Sequence, residues 1–309
     1  MTDQVIVPFN PPSRLHPFTA GDLLRMELPP RENILAPWLQ TKGLAMIFAP
    51  RGVGKTQLAM GVAYAVASGG TFLKWRAPRP RRVLFIDGEM PASVLKERLA
   101  RIADKCEGEP PSEDFIRFIA ADLENEGIPD LATAEGQEAL EPFIGDAELI
   151  ILDNLSTLCR SGKENEGDSW SAVQEWALRL RREGRSVLFV HHAGKSGAQR
   201  GTSRREDVLD TVINLTRPDD YSNAEGARFV VNFEKARGFT GPEAEAFEAA
   251  LDIVSGLWST REIEDVWAAR IIALTEDGMK PADIARELNV NRSTVSRQMK
   301  RLREAGKLS

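Results

Sequence analysis

The chain has 309 residues, of which 42% are hydrophobic and 28% charged, with a formal net charge of −6. That length and balance predict about two soluble globular domains and exclude a low-complexity chain. No apolar run reaches spanning length and the N-terminus, MTDQVIVPFNPP, lacks a basic-then-apolar leader, so a cytoplasmic protein with no membrane contact is expected. Cys106 and Cys159 lie far apart with no ligand spacing, which argues against a disulfide framework or a zinc site. Charge is uneven: from Met279 to Ser309, eight Lys or Arg stand against three Asp or Glu, giving +5 and leaving −11 for the remainder. A basic end on an acidic body points to nucleic acid at that end.

Residues 1–40 are proline-rich (Pro8, Pro11, Pro12, Pro17, Pro29, Pro30, Pro37), which blocks regular structure over most of the stretch. Thr19 is placed to cap a helix through AGDLLRMEL, ended by Pro29-Pro30. Leu23, Leu24, Ile34, Leu35, Trp38 and Leu39 want burial, so the segment reads as an arm packing on the next domain or on a neighbouring subunit.

The next stretch, AMIFAPRGVGKT, joins a buried strand (Ala45 to Phe48), a tight turn and Gly-Lys-Thr, and a helix follows over Gln57 to Ala67. Strand, glycine turn and helix in this order make a P-loop. Residues Pro50, Arg51, Gly52, Val53, Gly54, Lys55, Thr56 and Gln57 would bind ATP. Gly52 and Gly54 let successive N–H groups face phosphate oxygens at a helix N-terminus. Lys55 would reach the β- and γ-phosphates, and the Thr56 hydroxyl would hold Mg²⁺. Ala49 stands where such loops usually begin with glycine, so the match is to GxGKT.

A second buried strand, Val83 to Asp87, leads into Gly88-Glu89-Met90-Pro91 and a helix over Ala92 to Lys105. An acid just past a strand beside the P-loop is placed to polarise a hydrolytic water. Glu89 is the candidate base, Asp87 competes with it, and a helix-capping glutamate is the plain alternative. A strand at Phe115 to Ala120 and an acidic stretch from Asn125 to Gly145 follow. Then comes ELIILDN, an apolar strand ending in Asp153, the carboxylate that would order Mg²⁺.

Thr157 to Ser169 reads as a polar loop and Trp170 to Arg182 as an amphipathic helix. Ser186 to Val190 is a strand that ends in His191-His192, placed to hydrogen-bond a γ-phosphate. Gly194 to Asp207 is a second loop, whose Lys195, Arg200, Arg204 and Arg205 would meet nucleic-acid phosphates. Strands near Val212 to Leu215 and Arg228 to Phe233 follow; after the latter, Lys235 and Arg237 project from one face.

From Trp258 a second domain, 258–309, is expected after an ATPase domain over 41–257. Arg261 to Glu276 is amphipathic, Pro281 opens a second helix, Asn289 supplies a turn, and Ser293 to Glu304 is a third helix with Val295, Met299 and Leu302 inward. The pattern fits a helix-turn-helix of the winged-helix kind with a short or absent wing. Arg292, Ser293, Thr294, Ser296, Arg297, Lys300 and Arg301 would face duplex DNA.

From about Gly43 to Leu257 the motifs GVGKT, LFIDGEMP, IILDNL, HHAGK, RGTSRRED and FEKARG stand in the order seen in RecA/DnaB-type ATPases, and most resemble the RepA-type plasmid replicative helicases. The resemblance implies an α/β fold: a mostly parallel twisted sheet with helices on both faces. It also implies catalysis by Glu89 and a γ-phosphate sensor at His192, with His191 second. Lys235 and Arg237 would be fingers reaching a neighbour's ATP. A ring, usually six subunits, would hold single-stranded DNA on its two channel loops. An ATP-driven DNA motor is therefore expected; the alternative is an ATP-switched regulator or helicase loader acting through the helix-turn-helix. A small-molecule kinase fits least, because no lid-like arginine cluster is present.

Overall fold

The computed structural model describes residues 15–160, 166–193, 207–218, 220–288, 290–304, 306 and 308. The chain divides into two compact units, Met1–Arg31 and Glu32–Ser309. In the first, helix α1 (Ala20–Arg25) carries the expected Thr19 cap, closed into a capping box by Asp22. It stops short of the expected Leu28, and Leu23 and Leu24 are exposed rather than buried. Under two helical turns is too short to build an apolar stripe.

The second unit opens with a hairpin of β1 (Asn33–Leu35) and β2 (Leu39–Gln40), which buries Ile34, Leu35, Trp38 and Leu39. The central sheet then begins with β3 (Leu44–Ala49), followed by α2 (Lys55–Ser68) and a small hairpin of β4 (Thr71–Phe72) and β5 (Trp75–Arg76). Next come β6 (Val83–Asp87), α3 (Ala92–Lys105), β7 (Ile116–Ala120), α4 (Ala134–Ile144), β8 (Leu149–Asp153) and a short α5 (Leu155–Leu158). Helix α6 (Glu166–Arg182), β9 (Ser186–His192), β10 (Thr211–Thr216), β11 (Arg228–Ala236), β12 (Phe247–Leu251) and β13 (Trp258–Glu262) complete the sheet region.

The nine strands lie in the order β13-β12-β11-β10-β3-β9-β8-β6-β7. From β10 to β7 all neighbours are parallel, and β11 to β13 add antiparallel strands at one side. A parallel block must be covered on both faces, and β3 shows it: Ala45, Ile47 and Ala49 join one apolar cluster, Leu44, Met46 and Phe48 the other.

Several elements differ from the sequence expectation. Strand β9 continues through His191 and His192, so the histidines belong to the sheet instead of following it. Of the loop expected over Thr157 to Ser169, residues 157–158 close the short helix α5, and α6 starts at Glu166 instead of Trp170. Strands β12 and β13 have no counterpart in the sequence expectation, and they carry the sheet to Glu262, five residues past residue 257. The helix expected from Arg261 therefore starts at Ile263.

Helix α2 is buried nearly all round, as its small apolar residues allow. At Gly61 a Cβ would sit 2.2 Å from the Phe72 ring, which is itself packed edge-on against Trp258. Gly61→Ala would gain up to about 1 kcal/mol of helix propensity but force that ring aside, and overpacking costs about 1–3 kcal/mol. The clash wins: a lower unfolding midpoint in urea is expected, and an unchanged or raised one would refute this packing account.

Helices α7 (Ile263–Glu276), α8 (Pro281–Glu287) and α9 (Arg292–Glu304) close the chain around Ile271, Ile284, Ala285, Leu288, Val295, Met299 and Leu302. No strand follows α9 among the described residues.

Candidate active site

The loop between β3 and α2 takes positive φ at Gly52 (75°) and Gly54 (121°), conformations that L side chains rarely adopt. The loop's rim, Pro50, Arg51 and Gly52, is exposed; Val53 and Lys55 are buried, and Gly54, Thr56 and Gln57 lie between. Lys55 Nζ donates to the carbonyls of Ala49 and Pro50, both at 2.9 Å. Burial pulls the ammonium down to about 8, opposed by Asp153 and Glu89.

The ends of β6 and β8 bring three carboxylates to this loop. Asp87 and Asp153 are register partners across the two strands, and Gly88 N–H donates to the Asp153 carbonyl at 2.7 Å. Asp153 is buried and bonded to the Thr56 hydroxyl, and burial pushes its carboxyl up to about 7. Its Oδ2 is buried with no hydrogen-bond partner. An orphaned carboxylate oxygen beside a hydroxyl fits a hard divalent cation such as Mg²⁺.

Asp87 and Glu89 are separated by their surroundings. Asp87 Oδ1 accepts the backbone N–H groups of Glu89 (3.0 Å) and Met90 (2.6 Å), which fixes it as the staple of the turn; burial raises its pKa. Glu89 is 56% exposed, accepts from Asn154 Nδ2, and stands 3.5 Å from His192 Nε2. His192 pairs in register with Ala49 at the start of the loop; burial first, then Lys55, lowers its pKa. His191, buried, pairs with Phe48. Thus Lys55, Thr56, Asp153, Glu89 and His192 converge.

Lys235 and Arg237 do not join them. Both lie at the end of β11, where Ala236 pairs with Thr211 and Thr211 pairs with Ala45. That is the entry end of β3, whereas the phosphate loop leaves its exit end, roughly 13 Å away at 3.3 Å per residue. The two side chains share one acceptor, the Asp207 carbonyl, each at 3.4 Å. Arg237 N–H also donates to the Asp210 carbonyl at 3.0 Å.

Of the expected DNA contacts, Lys195, Arg200 and Arg204 lie outside the described residues, as does Asn289. On α9, Arg292, Ser293, Ser296, Arg297, Lys300 and Arg301 are exposed; Thr294 is half-buried, because its position turns toward the side of Val295. Among the described residues no helix is long and apolar enough to cross a membrane.

Two site residues had no sequence signal. Asn154, read only as the end of a strand, caps α5 through Ser156 N–H (3.0 Å) while its amide holds Glu89. Arg217 donates from Nη2 to the Gly52 carbonyl at 3.0 Å, a contact between residues 165 apart in the chain.

The AAA domain family profile matches residues 10–198, well over half of the chain, and a homeodomain-like domain profile matches 264–309. Among solved structures, the chain is similar to a KaiC-like protein of Pyrococcus horikoshii OT3 (TM-score 0.50, 13% identity, 72% of this chain and 90% of that one). It is also similar to the flagellar accessory protein FlaH of Methanocaldococcus jannaschii (0.50, 12%, 72% and 90%). The RadB recombinase superposes at TM-score 0.49 with 15% identity, over 72% of this chain and 91% of that one. At these identities the likeness concerns the fold. With the P-loop, the paired strand-end carboxylates and the matched profile in place, the chain belongs to the AAA domain family, built on a RecA-like P-loop ATPase fold with a C-terminal helix-turn-helix.

Proposed function

We propose that the protein is a ring-forming, ATP-hydrolysing DNA motor, a replicative helicase of a plasmid or other mobile element that resembles the RepA type. The observation that carries this reading is the separation of the cation pair from the chain's own phosphate loop. Lys235 and Arg237 are too far along the sheet to serve the ATP held by their own chain, and a neighbour's ATP is a target they would meet in a closed ring, a hexamer in the usual case.

In this mechanism the N–H groups of Arg51 to Gln57 that line the loop hold the phosphates, with Lys55 moving from the Ala49 and Pro50 carbonyls onto phosphate oxygens. Thr56 and Asp153 would hold Mg²⁺, which when bound would neutralise phosphate charge. Glu89 accepts the proton of the attacking water, with Asn154 fixing its carboxylate and His192 reading the γ-phosphate. Lys235 and Arg237 stabilise charge on the leaving phosphates of the adjacent subunit. The stretches 157–169 and 194–207 take single-stranded DNA, and α9 takes duplex.

A second reading, an ATP-switched regulator or loader, is favoured by the exposed cationic face of α9. Strand displacement on a forked duplex, measured beside ATPase rates with single- and double-stranded DNA, separates the two. Unwinding that Lys55→Ala abolishes, with nucleotide affinity down by at least about tenfold from the lost phosphate contact, is the expected result. Hydrolysis without unwinding, stimulated best by duplex, would establish the regulator instead.

A further inference from the structure

The turn between β10 and β11 leans on the phosphate loop. Arg217, the residue after β10, is tied at three points: Nη2 to the Gly52 carbonyl (3.0 Å), Nη1 to Asn223 Oδ1 (3.3 Å), and its guanidinium carbon 4.0 Å over the Tyr221 ring. Tyr221 is anchored in turn, its hydroxyl donating to the Gly226 carbonyl at 2.9 Å. Ala227 of the same turn and Phe229 of β11 close on Gly54, where a Cβ would meet them at 3.4 and 3.0 Å. An exposed arginine held this way gives up side-chain rotamer freedom, which its contacts must outweigh.

The Gly52 carbonyl and the Val53 N–H belong to one planar trans peptide and point in opposite directions. In a phosphate loop the direction of each N–H is the binding interaction. A peptide beside glycine, here with Gly52 at φ 75°, is also the one freest to flip. We propose that Arg217 is a positioning residue for nucleotide binding: by holding the Gly52 carbonyl it keeps the Val53 N–H turned to the phosphates, and it sets a fixed positive charge at the loop's rim. The inference rests on the reading of this loop as the ATP site. It assigns Arg217 to the α- and β-phosphates that ATP and ADP share, and not to the transferred γ-phosphate.

The test is calorimetric affinity for ATP and for ADP, with kcat at saturating ATP, in the wild-type chain and in Arg217→Ala, Arg217→Lys, Asn223→Ala and Lys55→Ala. Arg217→Ala should weaken both nucleotides equally, by about tenfold, as for a charge-assisted hydrogen bond. Its kcat should stay within about threefold of the wild type, because uniform binding is lost and not transition-state binding. Arg217→Lys should recover part of the affinity through a single donor, and Asn223→Ala should show a smaller loss. Unchanged affinity in Arg217→Ala, or a loss for ATP alone, overturns the proposal. So does a fall in the nucleotide-free melting temperature with no rescue by lysine, which would make Arg217 only a packing residue. A wild-type chain that binds neither nucleotide, or a Lys55→Ala variant that binds like wild type, overturns the ATP reading and this inference together. Normal wild-type binding with a normal Arg217→Ala overturns this inference alone.

Discussion

Glu89→Gln is expected to bind ATP as the wild-type chain does and to lose at least about a hundredfold in turnover, the lower end of what a general base contributes. The substitution is nearly isosteric and leaves an amide oxygen to accept from Asn154, so the local packing should survive. What it removes is the carboxylate that takes a proton. The competing residue is poorly placed to replace it: Asp87 Oδ1 already accepts two backbone N–H groups, and removing it would loosen the turn that carries Glu89. Single-turnover hydrolysis of prebound ATP checks the prediction, because it separates chemistry from binding and release. A fully active Glu89→Gln would shift the base to Asp87 or to another group. Asn154 makes a second strand to the same argument, since its amide reaches Glu89 while its side-chain oxygen caps α5. The orientation of Glu89 is thereby tied to the end of β8, the strand that carries Asp153.

Much of this centre is legible in the sequence because it hangs on continuous apolar runs. Leu44–Ala49, Val83–Asp87 and Leu149–Asp153 are buried on both faces, so composition alone marks them; the first opens into the phosphate loop and the other two end in Asp87 and Asp153. The P-loop glycines are visible for a local reason too: φ values of 75° and 121° need glycine. Strands β12 and β13 escape notice because they are short and carry charged residues, Glu248, Arg261 and Glu262 among them, with no clean alternation. His191 and His192 look like the end of a strand because polarity rises there, yet pairing with Phe48 and Ala49 keeps them in the sheet. Asn154 and Arg217 are invisible for a different reason. Each acts on a residue distant in the chain, Glu89 and Gly52, and nothing in local spacing encodes a tertiary contact. Lys235 and Arg237 lie between these cases: their spacing is readable, but their position at the entry end of the sheet is a product of topology.

That position makes Arg237→Ala the sharpest test of assembly. The variant is expected to keep ATP affinity and to lose roughly 10³-fold in hydrolysis, as removal of a charge-stabilising finger does. Loss of activity alone would not prove action across an interface, so the decisive measurement is mixing. Arg237→Ala and Glu89→Gln are each expected to be nearly inactive alone. In a mixed ring, an Arg237→Ala subunit keeps its own Glu89, and a Glu89→Gln neighbour offers an intact Arg237. Their shared interface is then complete, and a fraction of wild-type hydrolysis should return. If Arg237 instead acted within its own chain, neither subunit type would hold a whole site and mixing would restore nothing. The same design bears on the Asp207 carbonyl, to which both Lys235 and Arg237 donate. Those bonds hold the pair together on one face of the strand end, so a finger engaged with a neighbour's phosphates must leave or share that acceptor. Recovery on mixing would therefore tie ATP to the neighbouring strand end and to Asp207, where the stretch proposed to take single-stranded DNA ends, the connection a motor needs between hydrolysis and DNA.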